Sequence, residues 1–282
     1  MNWRVCEIFE KAAVYFICPL CGASLDVADR KSMICANSHC FDFSSKGYVN
    51  FVPNQKQEFK IYPKELFKSR ASVFESGAYD KVFNEIRSII SSNFEEGSPL
   101  NVLDAGCGEG YFAAKLSEIK GISVFGADIS RDAIQGACRR KKHVKWIVAD
   151  VSRLPIRERS IKVILNVLAI ANYEEFKRVL TEDGLIVKIV PGSEYLKEIR
   201  EIMKPRLSNK IYSNKDVIEN FERHTEVVEK RNLRYKVRGD HDILRHFIEM
   251  TPMTRGLDPQ NSEINGISHI TIDLDILVGK PG

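Results

Sequence analysis

The sequence predicts an α/β fold, a doubly wound and mostly parallel sheet behind a small N-terminal metal-binding module. Three observations carry that reading. From Leu100 onward, short apolar runs of strand length alternate with stretches of helical periodicity. A glycine-rich turn, Ala105-Gly106-Cys107-Gly108-Glu109-Gly110, falls where the first of these strands meets a helix. Four of the seven cysteines crowd between Cys18 and Cys40. A chain of 282 residues with 44% apolar and 28% charged side chains has room for one large domain and a smaller one, and it is no disordered tail, collagen-like fibre or coiled-coil rod.

The longest strongly apolar run, Val163 to Ala171, is far short of the roughly 20 residues that cross a bilayer, so no membrane partner is expected. Met1-Asn2-Trp3-Arg4-Val5-Cys6-Glu7 has no basic segment leading into an apolar core, so no secretory signal is expected either. A cytoplasmic, reducing setting follows, in which cysteines serve as thiols or metal ligands rather than disulfides.

Cys18-Pro19-Leu20-Cys21-Gly22 is a pair of thiols two residues apart on a turn, followed after 13 residues by Cys35 and then by His39 and Cys40. That is the ligand type and spacing of a closed tetrahedral zinc site, with either His39 or its neighbour Cys40 as the fourth ligand. A closed site has no open position for substrate, so the zinc is structural. It would hold a module too small to fold on apolar burial alone. Phe41-Asp42-Phe43 and Tyr48-Val49-Asn50-Phe51 read as short strands around the metal, with Lys46-Gly47 as the turn between them. The domain boundaries expected are 1–52 for the N-terminal extension and module, 53–76 for a linker and 77–282 for the large α/β domain. Within the linker, Phe67, Val73 and Phe74 begin a helix that Gly77-Ala78-Tyr79 ends. A second helix follows over Ala78 to Asn93.

Leu100 to Asp104 is a buried strand that ends in an acid, the glycine turn follows at once, and Tyr111 to Lys120 reads as a helix. Gly106, Gly108 and Gly110 allow a tight turn and close approach of a ligand. Ile122 to Ala127 is the next strand and ends at Asp128, placed to accept the hydroxyls of a ribose. The third strand, Val144 to Ala149, ends at Asp150, placed to accept from an adenine amino group. A charge at Asp104 would repel a pyrophosphate, and the Gly-x-Gly-x-Gly spacing differs from that of nicotinamide enzymes. Acids at three successive strand ends suit a cationic nucleoside, and S-adenosylmethionine fits. Further on, strands are expected at Ile161–Leu165, Gly184–Ile189, Glu226–Arg238 and His269–Val278, and helices at Glu174–Leu180, Glu194–Met203 and Asp242–Glu249. This makes a seven-stranded sheet ending in an antiparallel pair.

The net charge of +4 is small, but Lys197 to Arg238 holds 12 Lys/Arg against 7 Asp/Glu, and Arg139-Arg140-Lys141-Lys142-His143 is a second cluster. Both are candidate phosphate contacts, or else solvated faces of mixed charge.

Taken together, Cys18-Pro19-Leu20-Cys21, Cys35 with His39, Phe41-Asp42, Gly47-Tyr48-Val49-Asn50, Gly77-x-Tyr79, Val102 to Tyr111, Phe125 to Ser130, Arg238-Gly239-Asp240 and Met250-Thr251-Pro252 resemble the RlmA-type 23S rRNA guanine-N1-methyltransferases over nearly the whole chain. The segment before Cys18, Tyr62-x-Lys64-x-x-Phe67 and Ala171-Asn172-Tyr173 are more similar to the Gram-positive branch, which modifies the 748 position rather than 745. The resemblance implies a class I S-adenosylmethionine-dependent methyltransferase with a Rossmann-like sheet. It implies zinc on Cys18, Cys21, Cys35 and His39, and cofactor contacts from Tyr79, Gly108, Glu109, Gly110, Tyr111 and Asp128. To these the strand-end reading adds Asp104, Gly106 and Asp150. Two departures stand out: Ala169-Ile170 where the family has a proline after the fourth strand, and Tyr195 where it has a cofactor-touching histidine. Proline would stiffen the loop presenting the target base; tyrosine can still donate a hydrogen bond to the cofactor.

The implied reaction is in-line attack of guanine N1 on the sulfonium methyl group, breaking its bond to sulfur, with the N1 proton passing to a carboxylate or backbone carbonyl; it is driven mainly by positioning. Asn166, at the end of the fourth strand, is the candidate to orient the base edge. The partner is a 23S rRNA hairpin loop with accessible bases; a homodimer stays open. A small-molecule methyltransferase would share the glycine loop but needs no zinc module. A catalytically impaired RNA-binding paralogue would keep both, and Ile170 and Tyr195 favour it.

Overall fold

A computed structural model describes residues 3–52, 63–141, 143–205, 212–254 and 266–282. The chain begins with a helix the sequence reading did not assign, α1 (Trp3–Ala12), whose Val5, Phe9 and Ala12 recur at helical spacing and are buried. Three short strands follow, β1 (Leu25–Ala28), β2 (Ser32–Cys35) and β3 (Cys40–Asp42), forming an antiparallel meander with Leu25 opposite Cys35 and Ser32 opposite Asp42. Phe9 packs on Phe16 and Phe43, and Phe16 packs in turn on Phe51 and on Phe125 of the large sheet. The module therefore completes its core against the rest of the chain, as a unit of this size must.

The next strand, β4 (Tyr48–Asn50), corrects one expectation. Tyr48-Val49-Asn50 does meet Phe41-Asp42-Phe43 across the Lys46-Gly47 turn, through an antiparallel bridge between Val49 and Phe43, but its main pairing is elsewhere. It lies parallel to Trp146-Ile147-Val148 and becomes the outermost strand of the large sheet. A three-residue alternating strand carries no information about its partner. Here it covers an edge that would otherwise offer unpaired backbone groups.

Of the expected linker, residues 53–62, with Tyr62, lie outside the described residues, and the rest belongs to α2 (Lys64–Glu75). Then come α3 (Asp80–Asn93), β5 (Leu100–Ala105), α4 (Tyr111–Leu116), β6 (Ile122–Asp128), α5 (Arg131–Arg140), β7 (Lys145–Val148), β8 (Ile161–Val167), α6 (Tyr173–Val179) and β9 (Leu180–Pro191). The C-terminal part holds α7 (Lys197–Met203), α8 (Lys215–His224), β10 (Thr225–Val237), α9 (His241–Glu249) and β11 (Ile270–Pro281). The sequence reading missed α5 and α8. The buried stripe of α5 is Ala133, Ile134, Ala137 and Cys138, small residues that give little apolar signal, and Ser130 caps it through Ala133 N–H. One buried residue, Phe221, anchors α8.

The large sheet runs β10-β11-β9-β8-β5-β6-β7-β4, parallel except for β11, which is antiparallel to both β9 and β10. The seven expected strands and their terminal antiparallel pair are present, and β4 adds an eighth. Winding from β5 runs outward through β6 and β7, then returns to β8 on its other side, so the strand order reverses between β5 and β8. A crevice opens at the carboxyl ends there, the usual ligand position of such sheets. No helix among the described residues is long and apolar enough to cross a membrane.

Candidate active site

The crevice holds a cavity of about 560 Å³. Its floor is the glycine turn after β5, fixed to the end of β6 by backbone bonds: Gly106 N–H and Cys107 N–H both donate to the Ala127 carbonyl, at 2.8 and 3.0 Å. Gly106 adopts φ +78°, and a Cβ there would stand 2.5 Å from that of Ala169, so glycine is required on both counts. Asp128 accepts from Gly108 N–H at 2.8 Å and from Ser130 N–H at 2.7 Å, one bond on each carboxylate oxygen. Asp150 accepts from the backbone and hydroxyl of Ser152 through Oδ1.

Of the residues expected to touch a cofactor, Tyr79, Asp104, Gly106, Gly108, Glu109, Tyr111, Asp128, Asp150 and Tyr195 all line this cavity. Gly110 does not. It begins α4 at φ +79°, and a Cβ on it would meet Trp146 at 2.4 Å and Ala137 at 2.7 Å, so its role is packing behind the loop. The Tyr79 and Tyr195 hydroxyls hydrogen-bond each other at 2.6 Å in the buried wall. Tyr111 stacks on Phe74 and donates to Asp80 at 2.6 Å.

The electrostatics are one-sided. Asp104 is 2% exposed, and burial pushes its carboxyl up to about 8 against the Ala113 N–H it accepts, with the charges of Asp128 and Glu109 adding to the push. Burial likewise pushes Glu109 up to about 7, opposed by Arg70 and Arg140, and neither of its carboxylate oxygens has a hydrogen-bond partner. Asp128 is also raised by burial, opposed by the Ser130 and Gly108 N–H groups. Buried acids with unused acceptor oxygens are a mould for a positively charged ligand. The donor set thus fits the sulfonium and ammonium of S-adenosylmethionine.

Asn166 stands apart. It is fully buried, off the cavity wall, and its amide is spent inside the protein: Nδ2 donates to the carbonyls of Ala105 (2.6 Å) and Ile170 (3.1 Å), and Oδ1 accepts from Lys188 Nζ (2.5 Å). This moves Asn166 from the base edge, where the sequence reading put it, to the scaffold beneath the loop Leu168–Ala171. Lys188 Nζ also donates to the Ala169 carbonyl at 2.5 Å. It is 3% exposed, and burial lowers its ammonium to about 8. The loop so held presents Ile170, 82% exposed, beside the cavity mouth.

Sequence reasoning missed Lys188, which reads as one polar residue in the apolar strand Leu185–Val190, and the α2 residues Phe67, Arg70 and Phe74 that close the cavity from above. The signal for α2 was present: Arg70 falls between Phe67 and Phe74 on their own helical face.

In the N-terminal module, Cys18 Sγ, Cys21 Sγ, Cys35 Sγ and a ring nitrogen of His39 lie within 4.8 Å of one another. The Cys21–Cys35 separation of 3.7 Å and the Cys18–His39 and Cys35–His39 separations of 3.5 and 3.4 Å match the edges of a tetrahedron with metal bonds of about 2.0 to 2.3 Å. Cys40 turns outward to Asp42, so His39 completes the set.

The basic stretch Lys197–Arg238 is partly salt-bridged, and residues 206–211 within it lie outside the described residues. Lys230 pairs with Glu222, Arg231 with Glu85 and Glu229, Arg234 with Glu194, Lys215 with Glu219, and Lys204 with Glu201. In the second cluster Arg140 pairs with Glu75 and Lys141 with Glu118, and Lys142 lies outside the described residues. Within Lys197–Arg238 most of these partners are the stretch's own acids, with Glu85 and Glu194 coming from outside it, so a charge excess remains.

Residues 16–60 match a family model described as RlmA, N-terminal, and residues 102–184 match one described as Methyltransferase domain. The chain is 34% identical over 273 residues to YxjB of Bacillus subtilis, a candidate 23S rRNA (guanine-N(1)-)-methyltransferase, covering 94% of this chain and 96% of that one. It is 28% identical over 274 residues to the 23S rRNA (guanine(748)-N(1))-methyltransferase of Streptomyces fradiae, covering 95% and 97%.

Proposed function

Since this chain belongs to the RlmA-type 23S rRNA (guanine-N1)-methyltransferases, we propose that it methylates N1 of a guanine in a hairpin loop of 23S rRNA, at position 748 in preference to 745. The observation that supports the reading most directly is the cavity at the β5/β8 reversal, lined by buried carboxylates of which Glu109 has both oxygens unpartnered. The choice of 748 rests on the likeness to the Streptomyces fradiae enzyme over 97% of its length.

S-adenosylmethionine, when bound, supplies a methyl group already activated on sulfur. What remains for the chain is to bind, orient and exclude water. Asp104 and Glu109 would balance the positive charge, Asp128 would take the ribose and Asp150 the adenine. Tyr79 and Tyr195 close one wall as a hydrogen-bonded pair, and Phe67 and Phe74 keep water from the other. Lys188 and Asn166 fix the loop carrying Ile170, whose exposed side chain offers an apolar platform to a splayed purine. Asn166 is in this account a positioning residue. The missing proline is compensated by these bonds, which favours an active enzyme over an impaired paralogue. The zinc, on Cys18, Cys21, Cys35 and His39, is structural and stabilises the module of residues 1–52.

The test is methyl transfer from labelled donor to hypomodified 23S rRNA fragments, read by nucleoside mass spectrometry. The expected product is 1-methylguanosine, lost when the guanine at 748 is replaced and kept when that at 745 is replaced. Methylation of neither fragment, with donor binding intact, would refute the substrate assignment.

A further inference from the structure

Four acids line the cavity, Asp104, Glu109, Asp128 and Asp150, and the single cation among the described lining residues is Arg70. Arg70 projects from the middle of α2, partly buried, with Nη1 3.6 Å from where a Cβ on Gly108 would stand. It makes no ion pair with any described residue, although its positive charge acts on Glu109, Asp128 and the Tyr79–Tyr195 pair. Arg140, the other arginine near Glu109, is used elsewhere: it pairs with Glu75 and donates to the Glu109 carbonyl.

An amino-acid ligand brings a carboxylate as well as an ammonium. In a buried space this rich in acids, a carboxylate is expelled unless a cation faces it. A guanidinium is suited to that task because its planar fork binds a carboxylate through two parallel hydrogen bonds. We propose that Arg70 is the residue that binds the α-carboxylate of the methyl donor, so that α2 closes over the cofactor through a charge contact as well as through Phe67 and Phe74. The proposal rests on the reading of the cavity as the donor site. It divides the ligand chemically: the acids take the cationic and nucleoside parts, and Arg70 takes the anionic end.

The experiment is calorimetry on the full-length, zinc-loaded protein with two ligands, S-adenosylhomocysteine and 5′-methylthioadenosine, which lacks the amino-acid end. Arg70→Met keeps the apolar stem and removes the charge, and Arg70→Lys restores the charge without the fork; melting curves establish that both are folded. For Arg70→Met the expected loss is about tenfold to a hundredfold in S-adenosylhomocysteine affinity, with 5′-methylthioadenosine within twofold of wild type. Arg70→Lys should recover part of the loss. Equal weakening of both ligands would mean that Arg70 only supports α2, and unchanged affinity for both would mean that it is idle; either overturns the proposal. Wild-type protein that binds neither ligand overturns the donor-site reading as well. Wild-type protein that binds both but forms no 1-methylguanosine overturns the substrate reading alone.

Discussion

Donor binding should strengthen as pH rises from 6 to 8, and the buried acids set the size of the effect. Without ligand, burial holds Asp104 up to about 8 and Glu109 up to about 7, so at pH 6 both are mostly protonated. A cationic ligand binds the ionised forms and must displace these protons. Each proton released makes affinity rise tenfold per pH unit, or about 1.4 kcal/mol, until pH exceeds the pKa of the free protein. Between pH 6 and 7 both groups contribute, so S-adenosylmethionine affinity should rise between ten- and a hundredfold; above pH 8 it should be flat. The ligand-free protein shows the opposite trend. A carboxyl whose folded pKa is raised destabilises the fold in its ionised state, so these two groups favour the fold most at low pH. That contribution fades as pH climbs from the usual carboxylate range of about 4 toward 8. Calorimetry in two buffers of different ionisation enthalpy counts the protons directly, with between one and two released at pH 6.5. Affinity independent of pH from 6 to 8, with no protons released, would refute this picture of the site.

Other perturbations separate the roles assigned above. Lys188→Met removes the hydrogen bond to the Ala169 carbonyl of the Ile170 loop and the one that holds Asn166 beneath it; methyl transfer should slow by about tenfold or more, with S-adenosylhomocysteine affinity unchanged within twofold, as single-turnover rates and calorimetry will tell. Gly110→Ala meets Trp146 and Ala137 and needs a left-handed backbone, so it should cost about 2–4 kcal/mol in denaturant unfolding, whereas a pure cofactor-contact residue would leave stability untouched. Removing zinc with a chelator should lower the melting temperature of the whole chain, because Phe16 and Phe51 share a core with Phe125; melting of the N-terminal module alone would contradict this.

The sequence was most legible where one local rule decides the outcome. Strand, glycine turn and helix from Leu100 to Leu116 follow from periodicity and from the need for positive φ, and three zinc ligands follow from spacing, which left His39 and Cys40 open as the fourth. What escaped it depends on distant partners. Val49 bridges Phe43 as expected, and the open edge beside Trp146 recruits it to the large sheet as well. Gly110 looked like a ligand-approach glycine until Trp146, 36 positions on, occupied the space beside it. Asn166 looked free for a substrate because neither Lys188 nor the Ala105 carbonyl is close to it in sequence. The salt bridge between Arg231 of the basic stretch and Glu85 escaped it because the two lie some 146 positions apart.

The central claim is that the acid-lined cavity between the carboxyl ends of β5 and β8 holds the methyl donor. A crystal structure of the zinc-loaded protein with S-adenosylhomocysteine tests it most directly. The account predicts the ribose at Asp128, the adenine toward Asp150 and the amino-acid end enclosed by Asp104, Glu109 and Arg70. A ligand seated elsewhere, with the Glu109 carboxylate still lacking a partner, would contradict it.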